Sequence, residues 1–349
     1  MGKKLKNTGK YLLWIGVSAA LLYFSFRSVN WTDFATALQN CRWGYVLLSM
    51  AFGALVLYIR GLRWRMQILP VDPATTRLTC WNAYNICMVV NLVLPRVGEV
   101  VRSIFVTRNS GRNAEGRHLA PIDKVLGTVI ADRMWDLASF IVVFFLTLVL
   151  MWDRFGSFFT ETILPGVAGK AHLWWIVVLA LLLLAGFLFL CWRLRDRGRI
   201  WGRIWGYLKG MADGLSSCLH MKHGWLFILY TALIWVLYWL MSASILWSLQ
   251  GIDPAGLSPE LAGSLAKIDT LGMGDALLLM FAGALSSLVP VPGGFGAFHM
   301  VVAGALSSLY GIPFGVGMIF ATLSHEAQVI VDVLFGGGSY LYETLLHRR

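Results

Sequence analysis

Residues 224–249 read Gly-Trp-Leu-Phe-Ile-Leu-Tyr-Thr-Ala-Leu-Ile-Trp-Val-Leu-Tyr-Trp-Leu-Met-Ser-Ala-Ser-Ile-Leu-Trp-Ser-Leu, without one charged side chain. About 20 such residues cross a hydrocarbon core of about 30 Å, and a helix lets one segment satisfy its own backbone there. Comparable apolar runs occupy 11–26, 43–62, 126–152, 173–192 and 314–346. The chain of 349 residues is 58% hydrophobic and 13% charged, whereas soluble domains carry about 45–50% apolar and about 25% charged residues. These figures exclude an ordinary soluble domain. The net charge of +11 then reads as topogenic Lys and Arg on cytoplasmic loops rather than a nucleic-acid surface. The five cysteines form no CxxC pair and no Cys/His group at zinc spacing, so neither a disulfide framework nor a metal site is expected. The basic, apolar N-terminus lacks a small-residue cleavage site after Leu21-Leu-Tyr-Phe-Ser-Phe-Arg27, which predicts an uncleaved first span.

Two further segments, 78–106 and 274–310, are apolar but interrupted. The first breaks at Leu94-Pro-Arg-Val-Gly-Glu99 and the second at Ser286-Ser-Leu-Val-Pro-Val-Pro-Gly-Gly-Phe-Gly-Ala-Phe-His299. Proline and clustered glycine end a helix, and irregular backbone at membrane depth must be buried or line a wet cavity. The break residues are Pro95 and Gly98 in the first segment, and Pro290, Pro292, Gly293, Gly294 and Gly296 in the second. Treating both segments as re-entrant puts the basic clusters at 3–10, 60–77, 108–124, 193–222 and 348–349 on one side. That leaves Arg27, Arg42, Arg154, Lys170 and Lys267 on the other. Two full crossings per segment would leave the loop sides unchanged, but the arms after Pro95 and before Pro290 are short for spans.

The expected fold is an all-α integral membrane protein: a single polytopic domain, 1–349, built from two inverted repeats at about 1–155 and 170–349. Each repeat has three spanning helices plus one broken re-entrant hairpin, with both termini cytoplasmic. Paired broken helices in inverted repeats, with a site at their interface, are a transporter signature. Between the repeats, 198–220 places Ile200, Trp201, Ile204, Trp205, Leu208, Ala212 and Leu215 on one face, with Arg199, Arg203 and Lys209 off it. This predicts an amphipathic helix on the cytoplasmic leaflet. Trp31–Cys41 is a lesser candidate of the same kind outside.

Charges at bilayer depth face the protein interior or a cavity. Around the first break these are Arg96, Glu99 and Arg102; on the next span they are Asp132, Arg133 and Asp136, with pairing available at i, i+3. In the second half, His299 follows the Pro-Gly loop, and His325 and Glu326 lie about 18 Å into the last span at 1.5 Å per residue. Gln328 and Asp332 fall near the same face. Asn82, Asn85 and Asn91, before the first break, suit helix–helix hydrogen bonds.

Asn91-Leu-Val-Leu-Pro-Arg-Val-Gly-Glu-Val-Val-Arg102, Asp132-Arg133-xx-Asp136 and Val291-Pro-Gly-Gly-Phe-Gly296 resemble the flippase-like membrane family. That family includes the transmembrane part of lysylphosphatidylglycerol synthetase and many bacterial and archaeal proteins. The resemblance covers essentially the whole chain. It implies lipid translocation between leaflets through a cavity formed by two inverted repeats, in a bacterial or archaeal cytoplasmic membrane. Two positions depart from the family pattern: His299 stands where Glu commonly follows the P-G-G-x-G loop, and His325 where Arg is common in the last span. The chain ends at Leu346-His-Arg-Arg349, so the synthetase's aminoacyl-transferase domain, and with it synthesis of lysyl-lipid, is not expected.

The reading that follows is a non-enzymatic lipid flippase or transporter. The substrate-binding candidates are Arg96, Glu99, Arg102, Arg133, Asp136, His299, His325 and Glu326. Arg96, Arg102 and Arg133 would hold a phosphate, which the planar guanidinium fork suits. Glu99, His325 and Glu326 would meet an amine or sugar. The partners expected are membrane lipids, anionic or polyprenyl-linked, with a second copy of the chain as a further candidate and no nucleic acid. No Walker motif is present, and no cofactor is expected. Two alternatives stay open: an intramembrane enzyme acting on a lipid-linked sugar or phosphate, with His299 and His325/Glu326 as acid and base, and a structural subunit of an envelope-synthesis complex.

Overall fold

The structure is a computed structural model that describes residues 16–112, 116, 118–152, 182, 186, 189–198, 201–203, 205–206, 209, 221, 223–289 and 291–346. Pro290, the N-terminal part of the first apolar run, most of the run at 173–192 and most of the amphipathic segment at 198–220 lie outside the described residues. The described elements are α-helices: α1 (Gly16–Phe26), α2 (Trp31–Asn40), α3 (Trp43–Ile68), α4 (Arg77–Val93), α5 (Val97–Asn109) and α6 (Ile122–Leu150). They continue with α7 (Gly224–Leu249), α8 (Pro259–Asp269), α9 (Met273–Ser286), α10 (Ala297–Tyr310) and α11 (Phe314–Leu346). Four of them, α3, α6, α7 and α11, are long and apolar enough to cross a membrane. Their outward faces carry Leu47, Leu55, Ile141, Val142, Leu146, Val236 and Leu334 exposed. That is the surface of an integral membrane protein, for which lipid rather than water is the solvent.

Local chemistry sets several helix starts. Asn30 accepts from the backbone N–H groups of Thr32 and Asp33 at the head of α2, and Thr76 from Thr79 at the head of α4. Ser258 caps α8, with Pro259 at its first position, where a missing N–H is harmless. Helix α8 is not among the elements expected from the sequence. Its buried stripe of Leu261, Leu265 and Ile268 docks in the main core, and the chain turns 109° between α8 and α9. The face of α2 carrying Phe34 and Ala37 docks in the same core.

The chain divides into two compact units, one drawn from Met1–Val129 and Leu229–Arg349, the other from Ile130–Ile228. Within the second, the rings of Trp135 and Phe227 meet edge to face at 5.2 Å, and Cys191 is buried. The first unit holds both interrupted segments, and each is a helical hairpin. Helix α5 folds back along α4, so that Val106 near its end packs in one cluster with Cys80 and Ala83 near the start of α4. Helix α10 folds back along α9, and the Tyr310 hydroxyl donates to Asp275 Oδ1 at 2.9 Å. At 14 residues each, α9 and α10 are about 21 Å long, short of a hydrocarbon core of about 30 Å.

Helix α4 is wedged between two others by glycine. A β-carbon at Gly61 of α3 would lie 3.1 Å from Trp81 Cα, and one at Gly336 of α11 would lie 2.7 Å from the Asn85 carbonyl oxygen and from Val89 Cβ. A β-carbon at Gly336 would force a shift, and one at Gly61 would need its neighbour to give by a few tenths of an ångström. Polar contacts reinforce the second: Asn82 Nδ2 donates to Glu343 Oε1 at 2.7 Å and Asn85 Nδ2 to Ser339 Oγ at 3.1 Å. These are the helix–helix bonds expected of the two asparagines.

Candidate functional site

The first break spans Leu94, Pro95 and Arg96. Proline ends α4 by removing a donor, and Arg96 reverses the chain at φ 65°, the one non-glycine residue with positive φ among the described residues. A left-handed non-glycine residue stores about 1–3 kcal/mol and persists only where its surroundings dictate it. Here Asn91 does so, because its Oδ1 accepts from Gly98 N at 2.9 Å and its Nδ2 donates to Glu99 Oε2 at 3.4 Å. Gly98 allows this closure: a β-carbon there would lie 2.2 Å from the Cys87 carbonyl oxygen. Arg96 is exposed, Glu99 half-buried and Arg102 buried.

Arg102 is held by rings. Its guanidinium lies 4.5 Å from the Trp64 ring centre and 5.3 Å from that of Tyr84, geometry that favours a desolvated arginine. Two arginines of α3, Arg60 and Arg63, are not among the candidates named from the sequence. By count they belong with the cytoplasmic loop charges, yet both lie inside α3, and Arg63 is buried at 1% exposure. Arg60 Nη1 donates to the Tyr84 hydroxyl at 2.6 Å, and Arg63 Nη1 to Thr231 Oγ1 at 3.4 Å. Counting charge ignores direction. Their i, i+3 spacing within an apolar helix was the available signal.

The second break carries a single 3₁₀ turn, Pro292–Gly294, with Gly293, Gly294 and Gly296 at φ 57°, 76° and 81°. Its brace comes from another element: His325 of α11 places Nε2 2.9 Å from the Gly293 carbonyl oxygen. The same imidazole sets Nδ1 3.1 Å from Glu326 Oε1, and His299 of α10 sets Nε2 3.7 Å from that oxygen. The two imidazole centres are 5.0 Å apart. The rings of Phe295 and Phe298 wall His325, and that of Phe26 walls His299. A turn farther along α11, Gln328 donates to buried Asp332 at 2.9 Å.

The structure therefore gathers His299, His325 and Glu326 into one cluster, and holds Glu99 and Arg102 on α5. Arg133 and Asp136 belong to the second unit, where they pair at 3.4 Å across i, i+3. The cysteines give no metal group among the described residues. The ligand atoms of His299, His325 and Glu326, however, all lie within 4.8 Å of one another. Linear spacing showed only the adjacent His325 and Glu326, because His299 comes from a separate helix.

The two breaks also meet. A β-carbon on Gly293 would lie 3.3 Å from Leu92 Cδ2, just before the first break. No match was found among curated proteins or among solved structures. A family model does match, over residues 11–336, and so takes in both hairpins and the helices that hold them. The chain belongs to the family of the lysylphosphatidylglycerol synthase transmembrane region.

Proposed function

We propose that this protein is a non-enzymatic lipid transporter that moves a polar headgroup between leaflets past two facing helical hairpins, while the acyl chains stay in the bilayer. On this reading the hairpins are re-entrant, the repeats that contain them are inverted, and the termini face the cytoplasm of a bacterium or archaeon. The observation that carries the reading is the meeting of the two breaks at Leu92 and Gly293. Irregular backbone in a membrane has to line a polar route or be buried, and here two such segments converge. Ionisable side chains stand at both: Arg96 and Glu99 at the first, and Glu326 with His299 and His325 at the second.

Fluorescent-lipid exchange in proteoliposomes tests the reading, with several headgroups and the variants Glu99→Gln and Glu326→Gln. Exchange faster than in empty liposomes is expected for one headgroup class. It should slow roughly tenfold or more in each variant, equivalent to about 1.4 kcal/mol on the barrier. Exchange no faster than in empty liposomes for every lipid, from folded protein, overturns the reading. A chemically altered lipid appearing instead would favour the intramembrane enzyme.

A further inference from the structure

We infer that His299, His325 and Glu326 form a binding site for a divalent first-row transition metal of the zinc class, with His299 Nε2, His325 Nδ1 and Glu326 Oε1 as ligands. The inference is independent of lipid transport.

A carbonyl oxygen can only accept, so the 2.9 Å contact between His325 Nε2 and the Gly293 carbonyl places the ring proton on Nε2. Nδ1 faces Glu326 Oε1, 3.1 Å away, and an ionised carboxylate has only lone pairs to offer. A positive centre, a proton or a metal ion, is what holds the two together at that distance. His299 adds a third: its side chain is 1% exposed, and neither ring nitrogen has a hydrogen-bond partner. Buried polar atoms are seldom left this way.

Ligands of tetrahedral zinc, bound at about 2.0–2.2 Å, lie about 3.4 Å from one another. The two contacts to Glu326 Oε1, 3.1 and 3.7 Å, bracket that separation, and one ligand atom from each of the three residues falls within 4.8 Å of the others. Neighbours on a helix ordinarily face apart, yet the Glu326 carboxylate turns to the imidazole beside it.

The surroundings agree. A metal-bound histidine commonly donates its second nitrogen to a carbonyl, which fixes tautomer and ring plane, and His325 does this with Gly293. Two imidazoles and one carboxylate suit zinc, iron, nickel and copper better than calcium or magnesium. The side chain of Glu326 remains 39% exposed. That leaves a face for a fourth ligand, a water or an anionic oxygen, as open three-residue zinc sites have.

The test uses the full chain in detergent, carrying a purification tag without histidine. After chelation and dialysis, zinc chloride is titrated, bound metal is measured by mass spectrometry, and thermal unfolding is followed. About one zinc per chain and a zinc-dependent rise in Tm are expected. His299→Gln, His325→Gln and Glu326→Gln should each lower the affinity by tenfold or more, and Asp332→Asn should leave it unchanged. Cobalt in place of zinc should give the visible absorption bands of a four-coordinate ion in the wild-type chain, a readout that does not depend on any variant folding. Folded wild-type protein that takes up no zinc and gives no cobalt spectrum overturns the proposal and leaves a proton between His325 and Glu326. Binding equal in wild type and all three variants overturns it as well.

Discussion

The two hairpins solve the same problem in opposite ways. The first turns in three residues, Leu94, Pro95 and Arg96, and is closed by its own chain: Asn91 on the incoming helix holds Gly98 and Glu99 on the outgoing one. The second has a longer connection with three positive-φ glycines, and its brace, His325, comes from α11. A self-closed turn is fixed locally. A turn braced from elsewhere depends on the helices packed against it. The first break is therefore held within its own hairpin, and the second by contacts from α11 and α1.

The largest effect should come from Gly98→Ala. Its new β-carbon would meet the Cys87 carbonyl at 2.2 Å, and backbone cannot move aside as a flexible side chain can. A loss of about 3 kcal/mol is expected, read as a lower Tm in detergent or a failure to purify as a single species. An unchanged Tm would break the claim that the first hairpin closes by backbone contact. Next, His325→Ala removes the donor to the Gly293 carbonyl and should cost about 1–3 kcal/mol. Amide exchange should speed at 291–297 and stay as it was at 97–100. Asn91→Ala should do the reverse, speeding exchange at 97–100 for a loss of about 1 kcal/mol, the size of a lost helix cap. If either variant loosened both turns equally, the two breaks would have to be treated as one unit. The smallest effect belongs to Gly294→Ala. There a β-carbon meets only His325 Nε2, at 3.6 Å, and the left-handed backbone at φ 76° should cost about 1 kcal/mol. Gly294→Asn, which tolerates that conformation, should recover part of the loss.

How much of this was readable in advance follows from what each feature depends on. Pro95 and the Pro-Gly loop marked both breaks because their chemistry is local. The long spans α3, α6, α7 and α11 were visible because lipid demands continuous apolar length. The pairing of Arg133 with Asp136 was also legible, being a matter of helical spacing. Contacts between elements were not. His325 and Glu326 stand out as a pair, but nothing in the spacing joins them to His299, because α10 and α11 must first pack. Arg63 misleads because a charge near the end of an apolar run looks the same whether it points to water or inward. Helix α8 is hard to see because its helical stripe is short, and apolar patterning is weakest in short amphipathic segments. His299 and His325, on different helices, lie in ring contact at 5.0 Å.

The glycine notches at Gly61 and Gly336 have a mechanical consequence. With Trp81 seated in one and Asn85 and Val89 in the other, α4 has a neighbour's backbone against it on two flanks, and sideways travel would require both to give way. In any parting of the hairpin tips, α4 is the fixed jaw of the vice. The Pro292–Gly294 turn is held differently, by the His325 imidazole at the Gly293 carbonyl and by α1, where Ser18 Oγ donates to the Phe295 carbonyl at 3.0 Å.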